Sequence, residues 1–223
     1  MKERPILFSG PMVRAILEGR KTVTRRIAKP VKHPDLGNIY APGALVLEHE
    51  PQHVVDRACP YGQPGDRLWV RETWTDVNMC GAPALAYRAD EDIRDLMEEP
   101  GFLDDRGAFN YDDPRVKPYP FACWYAELDQ ARWRPSIHMP RWASRILLEI
   151  TSVRVECLQD ISEEQAIAEG PPGLAFPAPP GSHWVTEDGR RRAFMRLWDD
   201  VNGAGAWDAN PWVWVVEFKR VTP

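Results

Sequence analysis

Residues 19–26 read GRKTVTRR, and the interpretation of this stretch decides the fold. Ahead of it, Ser9 can cap a helix with Pro11 in its first turn and Val13, Ile16 and Leu17 on one face. Gly19 then ends the helix, because the left-handed conformation that closes a helix C-terminus brings no side-chain clash at glycine. The β-branched TVTRRI that follows predicts a strand leaving a tight helix-to-strand turn. In a regular strand, residues 21 and 24 point to opposite sides. Lys21 and Thr24 can therefore meet only if Lys21 stays in the turn.

Working outward, residues 6–8 predict a short strand, and residues 28–64 carry scattered Pro, Gly and His around a possible strand at 44–48. GDRLWVRETW, residues 65–74, reads as a turn and a strand with Leu68, Val70 and Glu72 on one face and Trp69, Arg71 and Thr73 on the other. Residues 84–88 are the expected pairing partner of that strand. ILLEITSVRVEC, residues 146–157, alternates as a strand. ISEEQAIAEG, residues 161–170, follows as a short helix with Ser162 as its cap, Gln165 completing a capping box and Gly170 as the stop. A helix over 191–201 places Phe194, Leu197 and Trp198 in its apolar stripe, and PWVWVVEF, residues 211–218, is the last strand.

Short strands and turns with helices interspersed predict an α+β fold, a mixed or antiparallel β-barrel with flanking short helices, and not regular βαβ alternation. One domain is expected over residues 1–223. It carries a large insertion at about 76–140, acidic and then proline-rich and aromatic, and a proline-rich loop at about 171–190. The 22 Pro and 15 Gly make it loop-rich.

The net charge of -5 disfavours a protein that holds long nucleic acid chiefly through phosphates, although Arg20, Lys21, Arg25 and Arg26 form a local basic patch. Cys59, Cys80, Cys123 and Cys157 are widely separated, without a CxxC pair or a secretory signal, which predicts reduced thiols and a cytoplasmic location. No apolar run reaches the roughly 20 residues that span a bilayer, so no membrane partner is expected.

The chemistry centres on the same stretch. Thr24 is a weak nucleophile that needs a base, and Lys21 can serve if desolvation and the neighbouring cations Arg20, Arg25 and Arg26 leave its amine neutral. By itself, GRKT equally suits a helix end with solvated cations. Glu169, near the C-terminus of its helix, is a candidate general acid, since the dipole there disfavours a carboxylate; an ordinary exposed Glu is the plainer alternative. Trp69, Trp74 and Trp212 flank strands that could line one barrel mouth and stack a base, and Glu72 beside them could accept from a base amino group; packing is the commoner role of any one tryptophan. His49, His53 and Cys59 are too few for a zinc site and HEPQH is not HExxH, so no metal and no cofactor are expected.

The ordered series ILEGRKTVTRR, PGDRLWVRE, LQDISEEQAIAEG and WVWVVEFKRV resembles the ASCH domain family of the PUA-like superfamily, in long members of the phage and prophage type. It covers about residues 6–27, 65–74, 144–170 and 191–221. Within that family, the resemblance to N4-acetylcytidine amidohydrolases implies Lys21 as proton acceptor, Thr24 as nucleophile, Glu169 as proton donor and Arg26 as a supporting pocket residue. The implied partner is a nucleoside or modified base. Two other activities stay open on the same fold: a noncatalytic reader of a modified or flipped base in RNA or single-stranded DNA, with Arg20 and Arg26 on phosphates, and a ribonuclease.

Overall fold

The computed structural model describes residues 1–171 and 189–221, so most of the proline-rich loop expected at 171–190 lies outside the described residues. The fold is mixed α+β, mostly strands with few helices. In chain order the elements are β1 (Glu3–Leu7), α1 (Gly10–Leu17), β2 (Val23–Ile27), β3 (Val31–Lys32), β4 (Ile39–Tyr40), α2 (Ala44–Leu47), α3 (Gln52–Ala58), β5 (Arg67–Arg71), β6 (Trp74–Met79), β7 (Ala82–Tyr87), β8 (Ile93–Asp95), β9 (Leu147–Cys157), α4 (Glu163–Ala168), α5 (Gly189–Asn202) and β10 (Trp212–Val221). Among the described residues, no helix is long and apolar enough to cross a membrane.

The chain divides into two compact units. The first comprises Met1–Ile6, Arg14–Trp69 and Ile146–Pro223, and its centre is the long antiparallel pair of β9 and β10. Alternation drives this pair: in β10, Val213 and Val215 turn to one face, where they pack with Val23, Leu158, Phe194 and Trp198. The even-numbered residues Trp214 and Val216 turn to the other face. The full order is β1-β5-β9-β10-β2, which leaves β2 and β1 at the edges. β2 runs antiparallel to β10 with Trp214 opposite Arg26 and Val216 opposite Thr24. The described strands thus form open sheets, and the closed barrel expected from the strand pattern is not formed among them.

The second unit, Leu7–Val13 and Val70–Arg145, contains the stretch read as an insertion. It has a three-stranded sheet ordered β6-β7-β8 and an aromatic core of Trp74, Tyr87, Phe102, Phe109 and Phe121. Residues 84–88 pair differently from expectation. β7 joins β6, with Trp74 opposite Tyr87, because Cys80 and Gly81, both at positive φ, turn the chain straight back on itself.

Residues 44–48 also differ from expectation, forming the one-turn helix α2 and no strand. Gly43 at φ 84 starts it, and only Leu45 of its four residues is buried, so the apparent alternation has no sheet to serve. The short helix at 161–170 forms as expected. Ser162 accepts from the Gln165 N–H, and the Gln165 side chain accepts from the Ser162 N–H, which completes the capping box.

Candidate active site

The helix end at Gly19 builds the site's first wall. Gly19, at φ 74, donates its N–H to the Ile16 carbonyl, and the N–H groups of Arg20 and Lys21 both reach the Ala15 carbonyl at 2.9 Å. Lys21 therefore sits in the turn, before β2 begins. Thr22 N–H donates to the Ala168 carbonyl at 2.9 Å, which ties this turn to the end of α4. Gly170 permits the approach. It holds φ +66, and a Cβ there would lie 2.8 Å from the Ala15 Cβ and 2.9 Å from the Lys21 Cβ.

With the turn and α4 in register, Lys21 Nζ donates to Glu169 Oε2 at 2.7 Å, to the Glu169 carbonyl at 2.9 Å and to the Val23 carbonyl at 2.8 Å. The residues are 148 positions apart in the chain, and both are almost sealed from solvent, at 2% and 3% exposure. Burial pushes the Lys21 ammonium below its ordinary value; Glu169 opposes that shift, and Arg26 and Arg25 add to it by like-charge repulsion. Arg20 has a different hydrogen-bond partner. Its guanidinium is held by Glu18 at 2.6 Å on the exposed side, beside a cavity of about 300 Å³ lined by Gly19, Thr22, Ile167 and Gly170.

Arg25 completes the buried charge network. It donates to Glu169 Oε1 at 3.2 Å, to Glu156 Oε1 at 2.6 Å and to Gln165 Oε1 at 2.8 Å. Gln165 is the same residue that closes the α4 capping box, so the helix cap, the guanidinium and the Glu169 carboxylate are linked side by side. Glu169 accepts from two cations. A proton-donor role for it therefore requires that a proton first arrive along the Lys21 contact.

Thr24 is buried at 3% exposure on the face of β2 away from Val23 and Arg25. Its hydroxyl makes no hydrogen bond among the described residues, so the base-to-nucleophile contact expected with Lys21 is not made in this state. Nζ does reach the Val23 carbonyl, in the peptide that leads into Thr24. Catalytic hydrogen bonds of this kind often tighten only around substrate. Arg26 shares the Thr24 face and is half-buried; burial lowers its ordinarily very high pKa against the pull of Tyr61 and Glu169. Burial likewise raises the Tyr61 phenol, with Arg26 opposing.

The aromatic residues expected at a common mouth are not brought together. Trp69 pairs with Leu147 and Trp212 with Cys157, opposite ends of β9. Ten strand steps separate those ends by about 33 Å. Trp212 is instead covered by the backbone at Gly43, where any Cβ would collide with the indole. Trp74 belongs to the second unit and is fully buried against Tyr119 and Trp142, with ring centroids at 5.2 and 5.9 Å, so it packs a core and is closed to a base.

Glu72, also in the second unit, is bound at both oxygens by Arg145 at 3.0 Å. Arg145 in turn reaches Asp90 and Asp92 and lies 4.0 Å from the Tyr87 ring centroid. Glu72 is therefore a buried ion-pair partner, 1% exposed. Burial raises Glu72, the Arg145 hydrogen bonds lower it, and Asp90 and Asp92 raise it again.

Tyr61, Glu156, Gln165 and Trp214 join the candidates on structural grounds alone. Gln165 carried a visible signal as a capping residue, but nothing in the chain pattern showed that its carbonyl turns to Arg25. Among the described residues, no group of three or more His, Cys, Asp or Glu is arranged to hold a metal ion. Comparisons with models of protein families, with curated proteins and with solved structures find no match to this chain.

Proposed function

We propose that the chain is an amidohydrolase that removes an acyl group from N4 of a cytidine-type nucleoside, built on an ASCH-type, PUA-like domain and acting in the cytoplasm. The ordered motif series supports the family reading. The activity rests on one observation, the buried 2.7 Å contact between Lys21 and Glu169, with Lys21 also bonded to the Val23 carbonyl that leads into Thr24.

The chemistry follows from proton accounting. A neutral Lys21 takes the Thr24 hydroxyl proton as Oγ1 attacks the acyl carbonyl, which produces a Lys21 ammonium within 2.7 Å of Glu169. The same proton passes through Glu169 to the departing N4 amine as the C–N bond breaks. Water then attacks the Thr24 ester, again with Lys21 as base, and the acyl C–O bond to Oγ1 breaks as Lys21 returns that proton to Thr24, releasing the carboxylic acid. This scheme calls on no metal. Arg26 and Tyr61, the half-buried members of the cluster, mark the side on which a ligand enters.

A noncatalytic reader of a modified or flipped base is the second reading. It draws support from the three carbonyl and carboxylate acceptors around Lys21 Nζ, which match the three donors of an ammonium and suit a structural lysine. Incubation with N4-acetylcytidine separates the two. Amidase activity predicts release of cytidine and acetate, lost in Lys21→Ala and Thr24→Ala by on the order of 10²–10⁴-fold. Binding of the nucleoside without hydrolysis would leave the reader in its place.

A further inference from the structure

Among the described residues, three buried tryptophans leave an indole N–H without an acceptor: Trp74, Trp198 and Trp214. Two of them lie inside apolar clusters, Trp74 with Phe102 and Phe121, and Trp198 with Phe194 and Val213. Trp214 differs in its setting. It is 1% exposed and sits directly across the ladder from Arg26, two residue pairs beyond the Val216 and Thr24 pair, on the same face of the sheet. Val213 and Val215 take the opposite face against α4 and α5, so the register itself assigns Trp214 to the side of the nucleophile candidate.

A buried donor without an acceptor is uncommon, and indole can only donate. We infer that Trp214 Nε1–H is a ligand-binding group of this site, donating to the ring carbonyl oxygen of a pyrimidine whose acylated amine faces Thr24. Two residues along a strand span about 7 Å, so Thr24 and Trp214 address the two ends of the ring edge that carries the N4 amine and the carbonyl oxygen. Arg26, across from Trp214, flanks the same edge. This inference rests on the amidohydrolase reading for its ligand, and it assigns to Trp214 the discrimination of a pyrimidine carbonyl that neither Lys21 nor Glu169 contacts.

The test uses the full chain labelled with ¹⁵N at its indole nitrogens, with the Trp214 resonance assigned through the backbone, titrated with cytidine and, separately, followed during turnover of N4-acetylcytidine. Cytidine is expected to move the Trp214 Nε1–H signal downfield, as a new acceptor does. Trp214→Phe, which keeps an aromatic ring and removes the donor, is expected to raise KM for N4-acetylcytidine about tenfold with a smaller change in kcat.

Turnover by the wild type with the Trp214 signal unmoved would overturn the role of Trp214 and leave the amidohydrolase reading standing. Absence of both turnover and nucleoside binding would overturn that reading and this inference with it. The signal is read on the unmutated protein, so a Trp214→Phe chain that fails to fold does not spare the inference.

Discussion

Two buried ion clusters, one in each unit, use the same residue types to opposite ends. In the second unit, Arg145 is surrounded by the carboxylates of Glu72, Asp90 and Asp92 and lies on the Tyr87 ring. In the first, Glu169 is bonded by Lys21 and Arg25, with Arg26 near enough to act on both. Burial works against the charged form in each. Around Arg145 the hydrogen bonds it donates to Glu72 and Asp90 outweigh it and hold the guanidinium above its ordinary value, whereas around Lys21 burial prevails and the other cations reinforce it. The balance of charge thus separates a locked pair from one whose proton can leave.

The widest gap between the clusters should open under substitution. Lys21→Ala is expected to reduce kcat/KM for N4-acetylcytidine by on the order of 10²–10⁴-fold, as loss of a general base does. Arg145→Met is expected to leave kcat/KM at the wild-type level while urea unfolding records a loss of about 3–5 kcal/mol, the usual cost of stranding one partner of a buried ion pair. A stable Arg145→Met protein without activity would break the comparison, because it would place the second cluster in the chemistry.

A smaller effect is expected at the glycines that frame Lys21. Gly19 and Gly170 both hold positive φ, but a Cβ at Gly19 would meet nothing within 4 Å, while one at Gly170 would press on Ala15 and Lys21. Alanine at either position should cost about 1–2 kcal/mol for the left-handed backbone alone. Gly170→Ala should add steric strain to that and reduce turnover by displacing Lys21, whereas Gly19→Ala should leave kcat unchanged. Equal unfolding midpoints and equal kcat for the two variants would show that the close approach of α4 to the turn has no bearing on the site.

The residues of the turn were legible because their cues are local. Gly19 announces a helix end, the run TVTRRI announces a strand, and Ser162 with Gln165 announces α4, so Lys21 and Glu169 could each be placed on its own element. The pairing that joins them was not local. Whether β2 lies beside β10 depends on sheet order, and nothing in WVWVV states that Trp214 faces Arg26 while Trp212 ends against Gly43. Glu72 shows the converse failure. Its alternation correctly turned it inward, but its partner Arg145 lies 73 residues away, and an inward Glu without a visible partner reads as a ligand contact. Residues 44–48 misled because a single helical turn is too short for the period of its apolar residues to be distinguished from that of a strand.

The smallest expected effect is on pH dependence, and it probes the cation balance directly. Lys21 must be neutral to act, so kcat/KM should rise with pH along a limb set by its pKa, which burial places below the ordinary 10.5. Stability follows the same sign: the unfolded chain holds the Lys21 proton more tightly, so the penalty is full below the folded pKa and is relieved as pH rises towards 10.5. Arg26→Gln removes one like charge and should move the limb of kcat/KM to higher pH, whatever it does to KM. Arg145→Met, carrying an equal change of charge, should leave the limb where it is. A limb that stays put in Arg26→Gln, or moves to lower pH, would mean that Arg26 does not act through Lys21, and the contrast between the two clusters would then reduce to burial alone.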